Sequence, residues 1–319
     1  MNENTLICKG LRKDFSKVGW ALLIYYGIMN AAIIIVTVVL TMVNSVQYLS
    51  SPEDAEWITQ KVAEDSMWGY TLAVLAGAVA LLLWKKKEFC FKTIWKTDNP
   101  MTWGKFFALL AIFLSGQALY QLLTPLMEWL FSLMGVSLAD SIASASGASD
   151  SLSMFLYVAL LAPIWEEILF RGYVMRTLEA YGKKFAILTS AFLFGVYHGN
   201  VVQSPYAFCV GLVLGYVAME YNMVWAMVLH MINNLLLGDT LGRLIQGLPM
   251  VTQELIFLGL IWGCALASVI ILICKRKAVA AFFRNGKIHP LCLKSFFSCA
   301  GVWTLTGILM GLAVLMLFL

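Results

Sequence analysis

VGWALLIYYGIMNAAIIIVTVVLTMVNSV, residues 18–46, runs without a single Asp, Glu, Lys, Arg or His. An α-helix rises about 1.5 Å per residue, so about 20 apolar residues cross the roughly 30 Å of hydrocarbon in a bilayer. This run is long enough to span a membrane. It also exceeds the roughly 7 to 15 residues of a cleavable signal core and lacks a convincing small-residue cleavage site, so it reads as a retained anchor. Further uncharged runs follow at 67–84, 106–127, 255–274 and 295–319. The chain of 319 residues is 61% hydrophobic and 13% charged, with a mean hydropathy of +0.82. A bilayer is the natural solvent for such a composition.

Between Ser151 and Gly238 ionisable residues interrupt the apolar pattern, and four more helices are read there, at 152–180, 184–200, 206–221 and 223–238. The expected fold is therefore all-α, a polytopic helical bundle of about nine spans (eight to nine). It forms one membrane domain over 1–319, with a four-helix core at 152–238. The Ser/Ala/Gly stretch SIASASGASDS, residues 141–151, reads as a flexible outer loop. Pro163 removes one backbone hydrogen bond from its helix and is expected to kink it.

Loops retained on the cytoplasmic side of a membrane collect Lys and Arg. With the N-terminus cytoplasmic, every basic residue except Lys61 and Arg243 falls on inner segments, while the first outer loop carries Glu53, Asp54, Glu56, Glu64 and Asp65. The net charge of +4 is thus explained by topology, and no nucleic-acid partner is expected. The seven cysteines, an odd number with no C-x-x-C pair, read as small buried hydrophobes and not as a disulfide or zinc framework.

Ionisable groups inside membrane helices are costly, about 2.5–3.5 kcal/mol on insertion scales, and so are functional candidates with a partner to be found. APIWEEILFRG, residues 162–172, places Arg171 four residues after Glu167 on the same helix face, where the two neutralise each other. Glu166 is turned about 100° away, free to face a cavity. FLFGVYHGN, residues 192–200, brings Phe194 and His198. With the helical turn at Gly182, Glu166 and His198 stand equally far from it, roughly 24 Å along the two arms, and so at similar depth. VLHMINNLL, residues 228–236, sets His230 and Asn234 on one face, with Asn233 about 100° around. A turn near Asn222 would leave His230 only about 12 Å deep, a mismatch that a recessed turn or a steep tilt has to make up. The third histidine, His289, sits in a basic inner loop with no evident partner.

These three clusters resemble the motifs of the CAAX protease and bacteriocin-processing family: E-E-x-x-x-R at Glu166, Glu167 and Arg171, F-x-x-x-H at Phe194 and His198, and H-x-x-x-N at His230 and Asn234. The motifs fall in the family's order within residues 163–234, so the outer helices inherit only general plausibility. The resemblance implies an intramembrane endopeptidase. Peptide hydrolysis needs a base for water and a donor for the developing oxyanion. Glu166 is assigned as base, His198 as the group orienting the water, and His230 and Asn234 as oxyanion donors, with Glu167 and Arg171 in support. No cofactor is favoured. Zinc held by Glu166, His198 and His230 is the alternative, although H-E-x-x-H is absent and Asn is an uncommon zinc ligand.

Two other classes use the same residues: a membrane immunity or peptide-binding protein that does not cut, and a proton-coupled carrier, disfavoured by the lack of an internal repeat. The expected partners are membrane lipid and a peptide or prenylated-protein substrate. The short loops point to a bacterial plasma membrane.

Overall fold

Hydrocarbon offers no water to backbone N–H and C=O groups, so a membrane segment must satisfy them internally, and a helix does so. The computed structural model describes residues 3–48, 52–84, 87–145 and 152–318. Among these residues there is no strand. The principal helices are α1 (Glu3–Tyr48), α2 (Pro52–Trp84), α3 (Trp103–Ser132), α4 (152–178), α5 (Lys183–Tyr197), α6 (Gln203–Glu220), α7 (Met223–Ile245), α8 (Met250–Cys274), α9 (Arg276–Arg284), α10 (Pro290–Phe296) and α11 (Ala300–Leu315). The protein is an all-helical membrane protein.

A helix stands at each of the positions read from the sequence, with differences that have physical causes. Among the described residues four helices, α1, α3, α7 and α8, are by themselves long and apolar enough to cross a bilayer, and α10 with α11 makes a fifth if their 53° bend lies within one span. The count of about nine spans is therefore not reached on length and apolarity alone. Helix α5, with 15 residues, covers only about 22 Å, and it is enclosed by its neighbours rather than bathed in lipid. The run 295–319 is not one straight helix, since it breaks between Phe296 and Ala300. The expected flexible loop at 141–151 is helical over its first part, Ala139–Ala145, and Asn200 Nδ2 donates to the Ser141 carbonyl at 2.9 Å. Residues 146–151 lie outside the described residues.

The core sits where α4, α5, α6 and α7 meet. Phe170, Val174 and Met175 of α4 pack there with Phe185 and Leu193 of α5, Leu214 and Ala218 of α6, and Ala226 and Leu229 of α7. Gly182, at φ +117°, turns α4 back into α5, a conformation that a side chain would strain. Helix α1 covers this core from outside. Gly19 on α1 and Gly301 on α11 let the two backbones touch, and the Ser16 hydroxyl accepts from the Gly301 N–H at 2.7 Å.

Three stretches are wound more widely than an α-helix: Tyr157–Leu161 and Ile168–Met175 in α4, and Asn234–Thr240 in α7. Such π turns insert residues without lengthening the helix in proportion and recur at functional positions. Pro163 follows directly on the first of them, and Glu166 and Glu167 lie between the first two. The second π turn, Ile168–Met175, shortens the arm between Gly182 and Glu167. At the other arm, the Tyr221–Asn222 turn is covered by the 95–99 segment, through Asn222 Nδ2 to Thr97 Oγ1 at 2.7 Å and the Asp98 N–H to the Tyr221 carbonyl at 3.2 Å. Both effects act to remove the depth mismatch, and His230 meets the two glutamates.

Candidate active site

The adjacent glutamates of α4 face different surroundings. Glu167 is fully buried, its Oε1 3.1 Å from an Arg171 nitrogen whose side chain is equally buried. This is the i, i+4 pair that the spacing predicts. The geometry is off the line of a hydrogen bond, so the contact is mainly electrostatic. Arg171 donates to the Gly211 carbonyl at 3.1 Å, and its guanidinium lies 4.3 Å from the centre of the Phe194 ring. A cation over an aromatic face is held by the ring quadrupole. Phe194 thus carries Arg171 on its face, with the rings of His198 at 4.7 Å and His230 at 5.9 Å in edge contact.

Glu166 keeps a side-chain exposure of 32%, against 0% for Glu167. Its Oε2 stands 3.7 Å from His230 Nε2, and its charge reaches His198 on α5. The structure therefore brings Glu166, Glu167, Arg171, His198 and His230 together. It also couples His230 to Glu167, through Nδ1 to Oε1 at 3.0 Å, a link that sequence spacing does not reveal because the residues lie on different helices. His230 is tied to both glutamates at once.

Hydrogen-bond logic fixes what the two imidazoles offer. A carbonyl or a carboxylate only accepts, so the nitrogen facing it carries the proton. His198 Nδ1 faces the Phe194 carbonyl at 2.8 Å, and His230 Nδ1 faces Glu167. In the neutral rings both Nε2 atoms are therefore free acceptors, and a doubly protonated His230 would instead donate from Nε2. Asn234 is more committed than expected. Its Nδ2 donates to the Val158 carbonyl at 3.0 Å and its Oδ1 accepts from Asn233 Nδ2 at 3.1 Å, which leaves one N–H.

Three phenols that the sequence reading did not single out stand on the Glu166 side of the bundle. Tyr25 of α1, Tyr157 of α4 and Tyr197 of α5 all lie within reach of its charge. Tyr25 and Tyr197 have ring centres 6.4 Å apart, and the Tyr197 hydroxyl meets the Met29 sulfur at 3.6 Å. Helix α1 is thus a wall of the site and more than an anchor. A YY pair inside an apolar run was its sequence signal.

Residues 148–236 match a family model described as Rce1-like, type II CAAX prenyl endopeptidase. Over that segment, a little more than a quarter of its length, the chain is similar to this family. The matched segment contains α4, α5 and α6 entire and α7 as far as Leu236, and so every residue of the three motifs. No curated protein and no solved structure matches the chain.

Proposed function

We propose that the chain is an intramembrane endopeptidase, hydrolysing a peptide bond near the C-terminus or leader of a membrane-associated substrate. The observation that carries this reading is the division of labour between adjacent carboxylates. Glu167 is tied off by Arg171 and His230, while Glu166 is partly open, 3.7 Å from His230, with its charge reaching His198.

Glu166 acts as general base on a water molecule. His198 Nε2 accepts the water's second proton in a hydrogen bond and so turns an oxygen lone pair toward the scissile carbonyl. Attack forms the C–O bond and moves the carbonyl π electrons onto oxygen. His230, in its doubly protonated form between the two glutamates, donates Nε2–H to that oxyanion, and the remaining N–H of Asn234 is the second donor. Collapse breaks the C–N bond, and the proton held by Glu166 passes to the leaving amine. Arg171 lies against Glu167, and Glu167 in turn holds His230 Nδ1.

A zinc-dependent version draws support from one feature: both histidines have Nδ1 tied to an acceptor oxygen, which leaves Nε2 as the ligating nitrogen, the way ligating histidines are held. Against it, no three His, Cys, Asp or Glu side chains among the described residues stand close enough to hold a metal ion. The donor set does not fit, and no step is assigned to a metal.

The same reading places the N-terminus in the cytoplasm and about nine passes in a bacterial plasma membrane, on the strength of the basic residues gathered on one set of loops. A peptide or prenylated protein is the proposed substrate, reaching the site within the bilayer. The test is cleavage of a mixed peptide and prenyl-peptide library by the detergent-purified protein, beside Glu166→Ala and with a strong zinc chelator. Cleavage that is lost in Glu166→Ala and resists the chelator is expected. Cleavage surviving Glu166→Ala overturns the site, and cleavage abolished by the chelator replaces the glutamate mechanism with the zinc one.

A further inference from the structure

A continuous line of hydrogen bonds runs from α3, outside the matched segment, to the helix that carries Glu166. Gln117 Nε2 donates to the Tyr206 hydroxyl at 2.7 Å and to Asn233 Oδ1 at 3.2 Å. The Tyr206 hydroxyl donates to the same Oδ1 at 3.3 Å. Asn233 Nδ2 then donates to Asn234 Oδ1 at 3.1 Å, and Asn234 Nδ2 to the Val158 carbonyl at 3.0 Å.

The line ends at Val158 for a reason written in the sequence. In the π turn at Tyr157–Leu161 the Ala162 N–H bonds the Tyr157 carbonyl, five residues back. The next bond of that register would run from residue 163 to Val158, but residue 163 is proline and has no N–H. The Val158 carbonyl is left open inside the bundle, where an unpaired polar group is costly, and the Asn234 amide fills it.

That terminus fixes the direction of the whole line. Val158 only accepts, so Asn234 must present Nδ2 to it and Oδ1 to Asn233. Asn233 must then present Nδ2 to Asn234 and Oδ1 to the far side. The far side is held by the donors of Gln117 and Tyr206. Without them, Asn233 Oδ1 has lost its donors and the Val158 carbonyl alone is left to hold both amides, so a turn of Asn233 that sets its oxygen toward Asn234 is opposed from one end only.

We infer that Gln117 is a positioning residue of the Glu166 site, acting through Asn233 to set the rotation of the Asn234 amide and so its remaining N–H and the seating of α4 at Pro163. This inference rests on the endopeptidase reading for its effect on cleavage, although not for the hydrogen-bonded line itself.

A double-mutant cycle on the full chain in detergent tests it. Gln117→Leu should lower kcat about tenfold, the scale of one lost buried hydrogen bond, with KM unchanged. Tyr206→Phe should do less, because Gln117 still holds Asn233. In an Asn234→Ala background, Gln117→Leu should cost nothing further. Losses that multiply in the double variant, or a change confined to KM, would overturn the inference, since a residue that merely packs acts independently of Asn234. The same cycle in thermal unfolding gives a readout that needs no substrate: the Tm losses of Gln117→Leu and Asn234→Ala should fall short of adding. Additive Tm losses defeat the inference whether or not any peptide is cleaved, while failure of the unmodified protein to cleave, with a non-additive Tm cycle, counts against the endopeptidase reading alone.

Discussion

Arg171 and Arg176 lie five residues apart on α4, both with almost fully buried side chains, and the regions around them are put together differently. Around Arg171 everything is dry. Its carboxylate partner Glu167 is fully enclosed, and Glu167 Oε2 has no hydrogen-bond partner. Around Arg176 two donors go to partly exposed partners, Glu179 Oε2 at 3.0 Å and the Lys96 carbonyl at 3.3 Å, and one to the buried Ala218 carbonyl at 3.1 Å. Lys96, Lys183, Asp98 and Glu220 form a half-exposed ion network beside it. No carboxylate there is buried and unpartnered among the described residues. The Gly182 end is a clasp that water can help to satisfy. Each arginine keeps a buried Nε without an acceptor, but only the Arg171 end also encloses its carboxylate with one oxygen unpartnered, and a buried polar group left so needs a reason. Holding His230 against Glu166 supplies one.

The comparison is most exposed to the loss of each arginine. Arg171→Met takes the guanidinium from a fully buried carboxylate, and removal of one partner of a buried pair costs about 3–5 kcal/mol. Chemical unfolding in detergent should show a loss of that size, and a cost below that of Arg176→Met would collapse the distinction. Glu166→Gln tests the partly open carboxylate beside that enclosed pair. It should reduce cleavage about 10²–10⁴-fold, the usual worth of a general base. Its Tm should stay close to that of the parent, because Glu166 is not the enclosed carboxylate. A large Tm loss would mean that Glu166 is as structural as Glu167.

Arg176→Met should cost less, about 1–3 kcal/mol for backbone oxygens left short of a donor, with kcat unchanged in the surviving fold. The smallest effect belongs to the exposed network. The Lys183 ammonium, hydrogen-bonded at 2.9 Å, and then Lys96 hold the Asp98 carboxyl below its ordinary value of 3.8. A carboxyl lowered on folding adds stability above its unfolded value, and that stability disappears as pH falls through the lowered one. With Lys183 half exposed the contribution is about 0.2–1 kcal/mol. Lys183→Met should therefore flatten the acid side of the stability profile below about pH 4 and leave neutral cleavage alone. A profile that does not change would remove the clasp from the comparison.

Much of the site was legible in the sequence because its pieces are local. The i, i+4 spacing of Glu167 and Arg171 gave their pairing, and the 100° step gave the different surroundings of Glu166. The equal distances of Glu166 and His198 from Gly182 gave two residues that approach across a helical hairpin. The helices at 18–46, 106–127 and 255–274 follow from apolar length, since an uncharged run in hydrocarbon has no other way to satisfy its backbone. Run length did not reveal the break in 295–319, and the short α5 shows that position in the bundle, not apolarity, places the inner helices.

What the sequence by itself determined is therefore the helical membrane fold, the position of each helix and the pairs that share one helix face, because both burial and helix geometry repeat over a few residues. Tertiary structure decided the rest. Glu167 took His230, Tyr25 came to Glu166, and Gln117 reached Asn233, each across helices far apart in the chain. The π turn that shortens the Glu167 arm is not announced by helical periodicity, and Pro163 opens a carbonyl whose partner lies 76 residues away at Asn234. Such partners are set by which faces meet and at what depth, and helical periodicity gives the face without giving its neighbour.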